Sequence, residues 1–168
     1  MLLKNNFTSA NSDSYLEFII KIYKERNGLS VHFEKLNIRD SLILSEMFGS
    51  YRYVEQGVFI AGGVGVAPFI SIFRQLNKDN TLKNNILIYS NRTSDDIILK
   101  DELKSLLRDN CLFVLTRELN SQGQTGRINK SFLIKNIKNF NQRFYICGPD
   151  SFVRDIKQMI EEIKREKA

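Results

Sequence analysis

From residue 57 onward the chain alternates between two kinds of segment, and that alternation constrains the fold more than any other feature. Four short runs at 58–61, 86–89, 111–115 and 144–147 are continuously apolar and rich in β-branched and aromatic residues. Between and after them lie amphipathic stretches near 68–77, 97–107, 130–137 and 150–164. The last sets Phe152, Val153, Ile156, Met159, Ile160 and Ile163 on one helical face. Strands apolar on both faces, joined by helices with one apolar stripe, predict a doubly wound parallel sheet covered on both sides. Ligands of such sheets bind at the carboxyl ends of the strands.

The 168 residues suffice for one such domain plus a smaller piece. The smaller piece precedes it. Residues 15–23 form a long aromatic and β-branched run followed by the turn signal Asn27-Gly28, and Ser41-Leu42-Ile43-Leu44 reads as a further strand before Phe48-Gly49. The expected division is 1–56, β-rich, and 57–168, α/β.

Hydrophobic residues at 42% and charged residues at 26% exclude wholesale disorder. No apolar run reaches the length of a membrane span, and the polar first fourteen residues do not resemble a signal peptide, so a cytoplasmic location is expected. Cys111 and Cys147 both lie in strand-like runs, the usage of a reducing compartment; one histidine, His32, and no close cysteine pair argue against a metal site. The net charge of +6 is dispersed among acids, as in Lys164-Arg165-Glu166-Lys167, so no nucleic-acid-binding stripe is expected. A phosphate-bearing cofactor or an acidic protein partner suits the excess.

Chemistry concentrates at the strand ends. The first apolar strand ends in Gly62-Gly63-Val64-Gly65-Val66-Ala67-Pro68 and leads into a helix. Glycines permit a tight turn and close approach of a diphosphate, the helix N-terminus supplies free N–H groups, and Pro68 suits the first helical turn. A tight turn with no ligand is the alternative, and the strand context, three glycines and proline together weigh against it.

The run from Gly57 to Ile70 resembles the nucleotide-binding loop of the ferredoxin–NADP reductase superfamily, in particular its bacterial flavodoxin-reductase-like branch. Three more motifs follow in the family's order. Tyr89-Ser90-Asn91-Arg92-Thr93 with Asp101-Glu102-Leu103 is similar to its second-strand motif. Thr116-Arg117-Glu118, then Gly126-Arg127-Ile128, is similar to its third-strand end and next loop. Tyr145-Ile146-Cys147-Gly148-Pro149-Asp150 resembles its Cys-Gly-Pro motif beside the nicotinamide. The β-rich third resembles the second half of the flavin-binding barrel, a partial antiparallel β-barrel, with Gly28 and Ser30 matching an element that holds flavin diphosphate.

The resemblance implies hydride transfer from a nicotinamide to FAD, with electrons passed to a ferredoxin, a flavodoxin or another acceptor. It assigns no side chain as acid or base. It implies a diphosphate cradle at Gly62, Gly63, Gly65 and Pro68, ribose and phosphate contacts at Ser90, Arg92, Arg117 and Arg127, and a close nicotinamide approach at Cys147, Gly148 and Pro149. An arginine fork on a 2′-phosphate favours NADPH slightly over NADH.

The sequence also departs from the family. The Arg-aromatic-Ser/Thr element that seats the flavin has no arginine at its place, which falls near Leu3; Arg39 and Met47 replace a usual Gly and Pro; Val64 and Ala67 replace hydroxyl residues. The opening barrel strands would lie upstream of Met1. The chain as given is therefore expected to bind nucleotide without stoichiometric flavin, and an incomplete barrel would favour self-association. A nucleotide-binding fragment or subunit without its own flavin site is the alternative to a complete reductase.

Overall fold

The computed structural model describes residues 3–5, 17–22, 28–43, 52–118 and 124–167. It divides into two units, Met1–Tyr53 and Val54–Ala168.

In the first unit, β1 (Leu3–Asn5) pairs antiparallel with β2 (Phe18–Ile20), placing Leu3 opposite Ile20. A six-residue helix, α1 (Leu29–Glu34), follows from Gly28 as N-cap and buries no residue. No barrel is present among the described residues of this unit. Only the centre of the 15–23 run is a described strand, and 41–43, the described part of the expected strand 41–44, are not a strand and pair with none among the described residues, with Leu42 and Ile43 exposed. Leu44, Met47 and the Phe48-Gly49 turn lie outside the described residues. An apolar run becomes a strand only where another strand meets its hydrogen-bonding groups.

The second unit contains β3 (Gly57–Gly62), α2 (Ala67–Lys78), β4 (Ile86–Asn91), α3 (Lys100–Leu107), β5 (Cys111–Leu115), β6 (Gln124–Thr125), α4 (Lys130–Asn136), β7 (Arg143–Cys147) and α5 (Asp150–Glu166). The strands form one parallel sheet in the order β6-β5-β4-β3-β7. Every residue of β3 is buried, as the central strand of a covered sheet requires. Side chains alternate between its faces. On one face Phe59 packs edge-on against Phe69 and Phe73 of α2, at 5.0 and 4.7 Å between ring centroids, and stacks on Tyr145 at 4.4 Å. On the other, Val58, Ile60, Ile88 and Val114 join Leu133 of α4 and Ile156, Ile160 and Ile163 of α5. Each fully buried side chain of this size contributes roughly 1.5–3 kcal/mol. The doubly wound sheet is thus covered on both faces.

Two polar clamps fix the entry to this unit. Asn85, fully buried, accepts the Gly57 N–H at 3.0 Å and donates to the Leu82 carbonyl at 3.1 Å. The Tyr145 hydroxyl accepts the N–H groups of Val54 and Glu55, each at 3.1 Å, and donates to the Glu55 carbonyl at 2.7 Å. Between helices, the Arg74 guanidinium of α2 makes a two-pronged contact with Glu102 of α3.

Candidate functional site

The sheet winds outward from β3 through β4 to β5, then returns to place β7 on the other side of β3. The reversal lies between β3 and β7, so the crevice that a doubly wound fold offers to ligands opens at their carboxyl ends. Gly62 to Gly65 and Cys147 to Pro149 meet there.

The glycines of this crevice have separate roles. Gly63 has φ +55°, a conformation costly for any residue with a side chain, and among the described residues nothing beyond its chain neighbours lies within 4 Å of where its Cβ would sit. It turns the chain out of β3 and leaves the space before it open. A short 3-10 turn, Gly63–Val66, then runs directly into α2, and the Ala67 N–H donates to the Val64 carbonyl, so the turn and the helix form one continuous coil. Pro68 sits in the first turn of α2, where no N–H is needed. Gly65 differs. A Cβ there would collide with the Cys147 carbonyl oxygen and lie 2.6 Å from its carbon and 2.7 Å from the Gly148 nitrogen. The sequence places Gly65 among the diphosphate-facing glycines; in the structure its bareness is required by the neighbouring backbone. Gly148 is equally confined, since its Cβ would fall 2.8 Å from the Phe152 ring, the ring that also lies 3.2 Å from a Cβ on Gly62. Phe152, from the first turns of α5, thus seats both loops.

The crevice is a fit for a dinucleotide on these observations: an open position beside Gly63, the turn from Gly63 into α2 directly after it, and close backbone approach at Gly148. Cys147 is partly buried there, paired in register with Ala61 and free of any disulfide. Cys111 is fully buried at the opposite end of its strand, and burial pushes its thiol up to about 11.

A second group of expected residues lies further along the same edge. Ser90 stands opposite Gly62 in register. Beyond the strands the main chains of β4 and β5 stay joined, with Thr116 donating to the Asn91 carbonyl at 3.0 Å and Arg117 to the Arg92 carbonyl at 2.9 Å. The Gly126 N–H donates to the Leu115 carbonyl at 2.8 Å, and its φ of +96° turns the chain after β6. Arg92, Arg117 and Arg127 therefore follow the ends of three adjacent strands. All three are exposed, and none has an ion-pair partner among the described residues. Gly28 and Ser30 belong to the first unit, at the start of α1.

Several residues of this edge lie in or beside the motifs, yet the sequence assigns them no role. Glu118 accepts the Ser94 N–H at 2.8 Å, fastening the loop after β4. That loop is a 3-10 turn, Ser94–Asp96, closed by reciprocal Thr93 and Asp96 contacts. Asn91 is buried, and no acceptor among the described residues stands in hydrogen-bonding geometry to its Nδ2, although its amide influences the Tyr89 hydroxyl. Burial above all pushes that hydroxyl up to about 12. Among the described residues no group of three or more metal-ligating side chains occurs, and no helix is long and apolar enough to cross a membrane.

A profile of the family described as oxidoreductase NAD-binding domain matches residues 59–158, most of the α/β unit. The chain belongs to this family, the nucleotide-binding domain of ferredoxin–NADP reductase type. It is similar to an NADH-cytochrome b5 reductase 1 of Laccaria bicolor, 34% identical over 168 residues, a match covering 92% of this chain and 54% of the relative. It is also similar to a ferredoxin NADP+ reductase from Neisseria gonorrhoeae solved with bound FAD and NADP, at 28% identity and a TM-score of 0.52, covering 62% of this chain and 47% of that one. A flavohemoglobin from Malassezia yamatoensis shares the fold, at 20% identity and a TM-score of 0.69, over 88% of this chain and 40% of that one. The chain spans about half the length of the curated relatives it matches. The Laccaria relative is of cytochrome b5 reductase type, whereas the motifs alone point to the flavodoxin-reductase branch.

Proposed function

We propose that the α/β unit binds NADPH or NADH in the β3–β7 crevice and presents its nicotinamide for hydride transfer to a flavin, within an NAD(P)H-dependent reductase that feeds an electron carrier. The observation that carries this reading is the meeting of the two loops: Gly63 turns with open space before it while Gly65 and Gly148 let the Cys147 backbone close on the cradle. The diphosphate would lie on the Gly62-Gly63 turn and the N-terminus of α2. The nicotinamide would lie against Cys147, Gly148 and Pro149, and the adenosine ribose toward Ser90, Arg92, Arg117 and Arg127. A nicotinamide supplies a hydride, two electrons with one proton, and this chain's residues hold and orient it.

The three exposed arginines, without ion pairs among the described residues, support a 2′-phosphate and hence NADPH. The name of the Laccaria relative supports NADH as the second reading. For the flavin, Gly28 and Ser30 are the described residues that resemblance assigns; Gly28 caps, and Ser30 lies on, a helix of only six residues. The described residues do not assemble a flavin seat, so the acceptor of the hydride and the final carrier, whether ferredoxin, flavodoxin or cytochrome, belong to the proposal alone. A cytoplasmic setting fits the two free thiols.

Calorimetric titration of the full chain with NADPH and NADH tests the site. Saturable binding of either, with a one-to-one stoichiometry, is expected; no heat with either nucleotide would remove the assignment.

A further inference from the structure

Three arginines follow the strand ends at the carboxyl edge, and the carboxylate of Glu118, next in sequence to Arg117, makes no ion pair with any of them among the described residues. Its Oε1 is taken instead by the Ser94 N–H at 2.8 Å. The placement has a geometric logic. The last backbone tie between the diverging chains is Arg117 N–H to Arg92 C=O, at 2.9 Å. One residue further along β5's continuation, and two along β4's, the backbones no longer meet and the Glu118 side chain spans the gap. The segment Arg92-Thr93-Ser94 is therefore held by main chain at its start and by a carboxylate at its end.

We infer that Glu118 is a positioning residue for 2′-phosphate recognition, fixing this segment so that Arg92 and Arg117 serve one phosphate together. This rests on the nucleotide site proposed above. A carboxylate would not be placed beside a phosphate for its charge, because like charges repel. Its presence next to Arg117 makes sense as a tether, charge-assisted and thus stronger than a neutral bond. Tether and charge predict opposite signs, so the two are separable. Removing the tether weakens phosphate binding, whereas removing only the negative charge strengthens it.

The test uses the full chain, titrated calorimetrically with adenosine 2′,5′-bisphosphate and with adenosine 5′-monophosphate at fixed ionic strength. Glu118→Ala should lose about fivefold or more in affinity for the bisphosphate and little for the monophosphate. Glu118→Gln keeps an acceptor for the Ser94 N–H and should bind the bisphosphate at least as tightly as the wild type. Ser94→Pro removes the tether from its other end while leaving the charge in place. Position 94 opens its turn after an extended Thr93 (φ −130°, ψ 167°), which suits a following proline. It should reproduce the selective loss of Glu118→Ala even if the latter folds poorly, which thermal melts will report. Stronger bisphosphate binding by both Glu118 variants, an equal loss for both nucleotides, or no change in any variant would overturn the inference. Saturable nucleotide binding by the wild type would then leave the site itself standing; failure of the wild type to bind either probe would remove both.

Discussion

Gly65 and Cys147 lie in direct backbone contact: the space that a Gly65 side chain would need is filled by the Cys147 carbonyl and the Gly148 amide. Gly65→Ala should therefore destabilise the domain by about 2–3 kcal/mol, because neither backbone can retreat as a flexible side chain would. Gly63→Ala should cost only about 1 kcal/mol, the left-handed conformation being its only strain. Urea denaturation of the two variants should separate them, and nucleotide titration of Gly63→Ala should show the larger functional loss. Equal stability of both variants would mean the loops do not touch as described.

Replacing Arg117 and Arg127 with Ala should weaken NADPH far more than NADH. Each lost charge-assisted contact costs on the order of 1.5–3 kcal/mol, or about one to two powers of ten in affinity. A uniform loss across both nucleotides would point to general electrostatics instead.

Tyr145→Phe keeps the ring stacked on Phe59 but removes the hydroxyl that holds Val54 and Glu55. Two N–H groups and a carbonyl lose their partner, which should cost about 1–3 kcal/mol. A thermal melt equal to the wild type would show that water replaces the hydroxyl without loss.

Alkaline pH should destabilise the domain through two buried acids. Cys111 is raised from 9.0 to about 11 and Tyr89 from 10.0 to about 12, burial being the leading cause in both. With folded values above unfolded ones, the native state holds the protons more tightly. Their stability contribution is complete below pH 9 for the thiol and below pH 10 for the phenol. It falls away as pH rises toward 11 and 12, by about 2–3 kcal/mol for each group at the limit. Cys111→Ala should flatten the fall between pH 9 and 11, read as urea midpoints across that range. A stability profile that rises there would contradict the sign.

The purified chain should carry little flavin. Leu3 stands near the place where the resemblance calls for a phosphate-binding arginine, and α1 buries no residue. A visible absorption spectrum with one flavin per chain, and rapid NADPH-dependent dye reduction, would reverse this expectation.

The strands of the α/β unit are legible in the sequence because burial on both faces demands uninterrupted apolar runs. β4 reaches two residues beyond its run, to Asn91, because ladder pairing with β5 continues through polar Ser90 and Asn91. β6, two residues long, has no pattern to find. The start of α3 misleads for a different reason. Ile97-Ile98-Leu99 looks helical, but the Thr93–Asp96 box closes its own turn and Leu99 adopts φ +50°, so the helix begins at Lys100. At the site, the glycine cluster is legible as a cluster. What sequence alone does not separate is a glycine facing a ligand from one facing a carbonyl, because both demand the same missing side chain. Glu118 falls inside the Thr116-Arg117-Glu118 motif, but its role is not legible because its partner is a main-chain N–H, which nearly every residue has.

The position of β7 in the sheet has a consequence for how the polypeptide reaches this state. Gly57 pairs with Arg143, half the chain away, while β3, β4 and β5 can pair with one another long before. As the chain leaves the ribosome, one side of the most buried strand must wait, unpaired and apolar, until β7 has been made. The nucleotide crevice therefore cannot close until β7 has been made, and its long loop closure should make this step slow and open to misassociation beforehand.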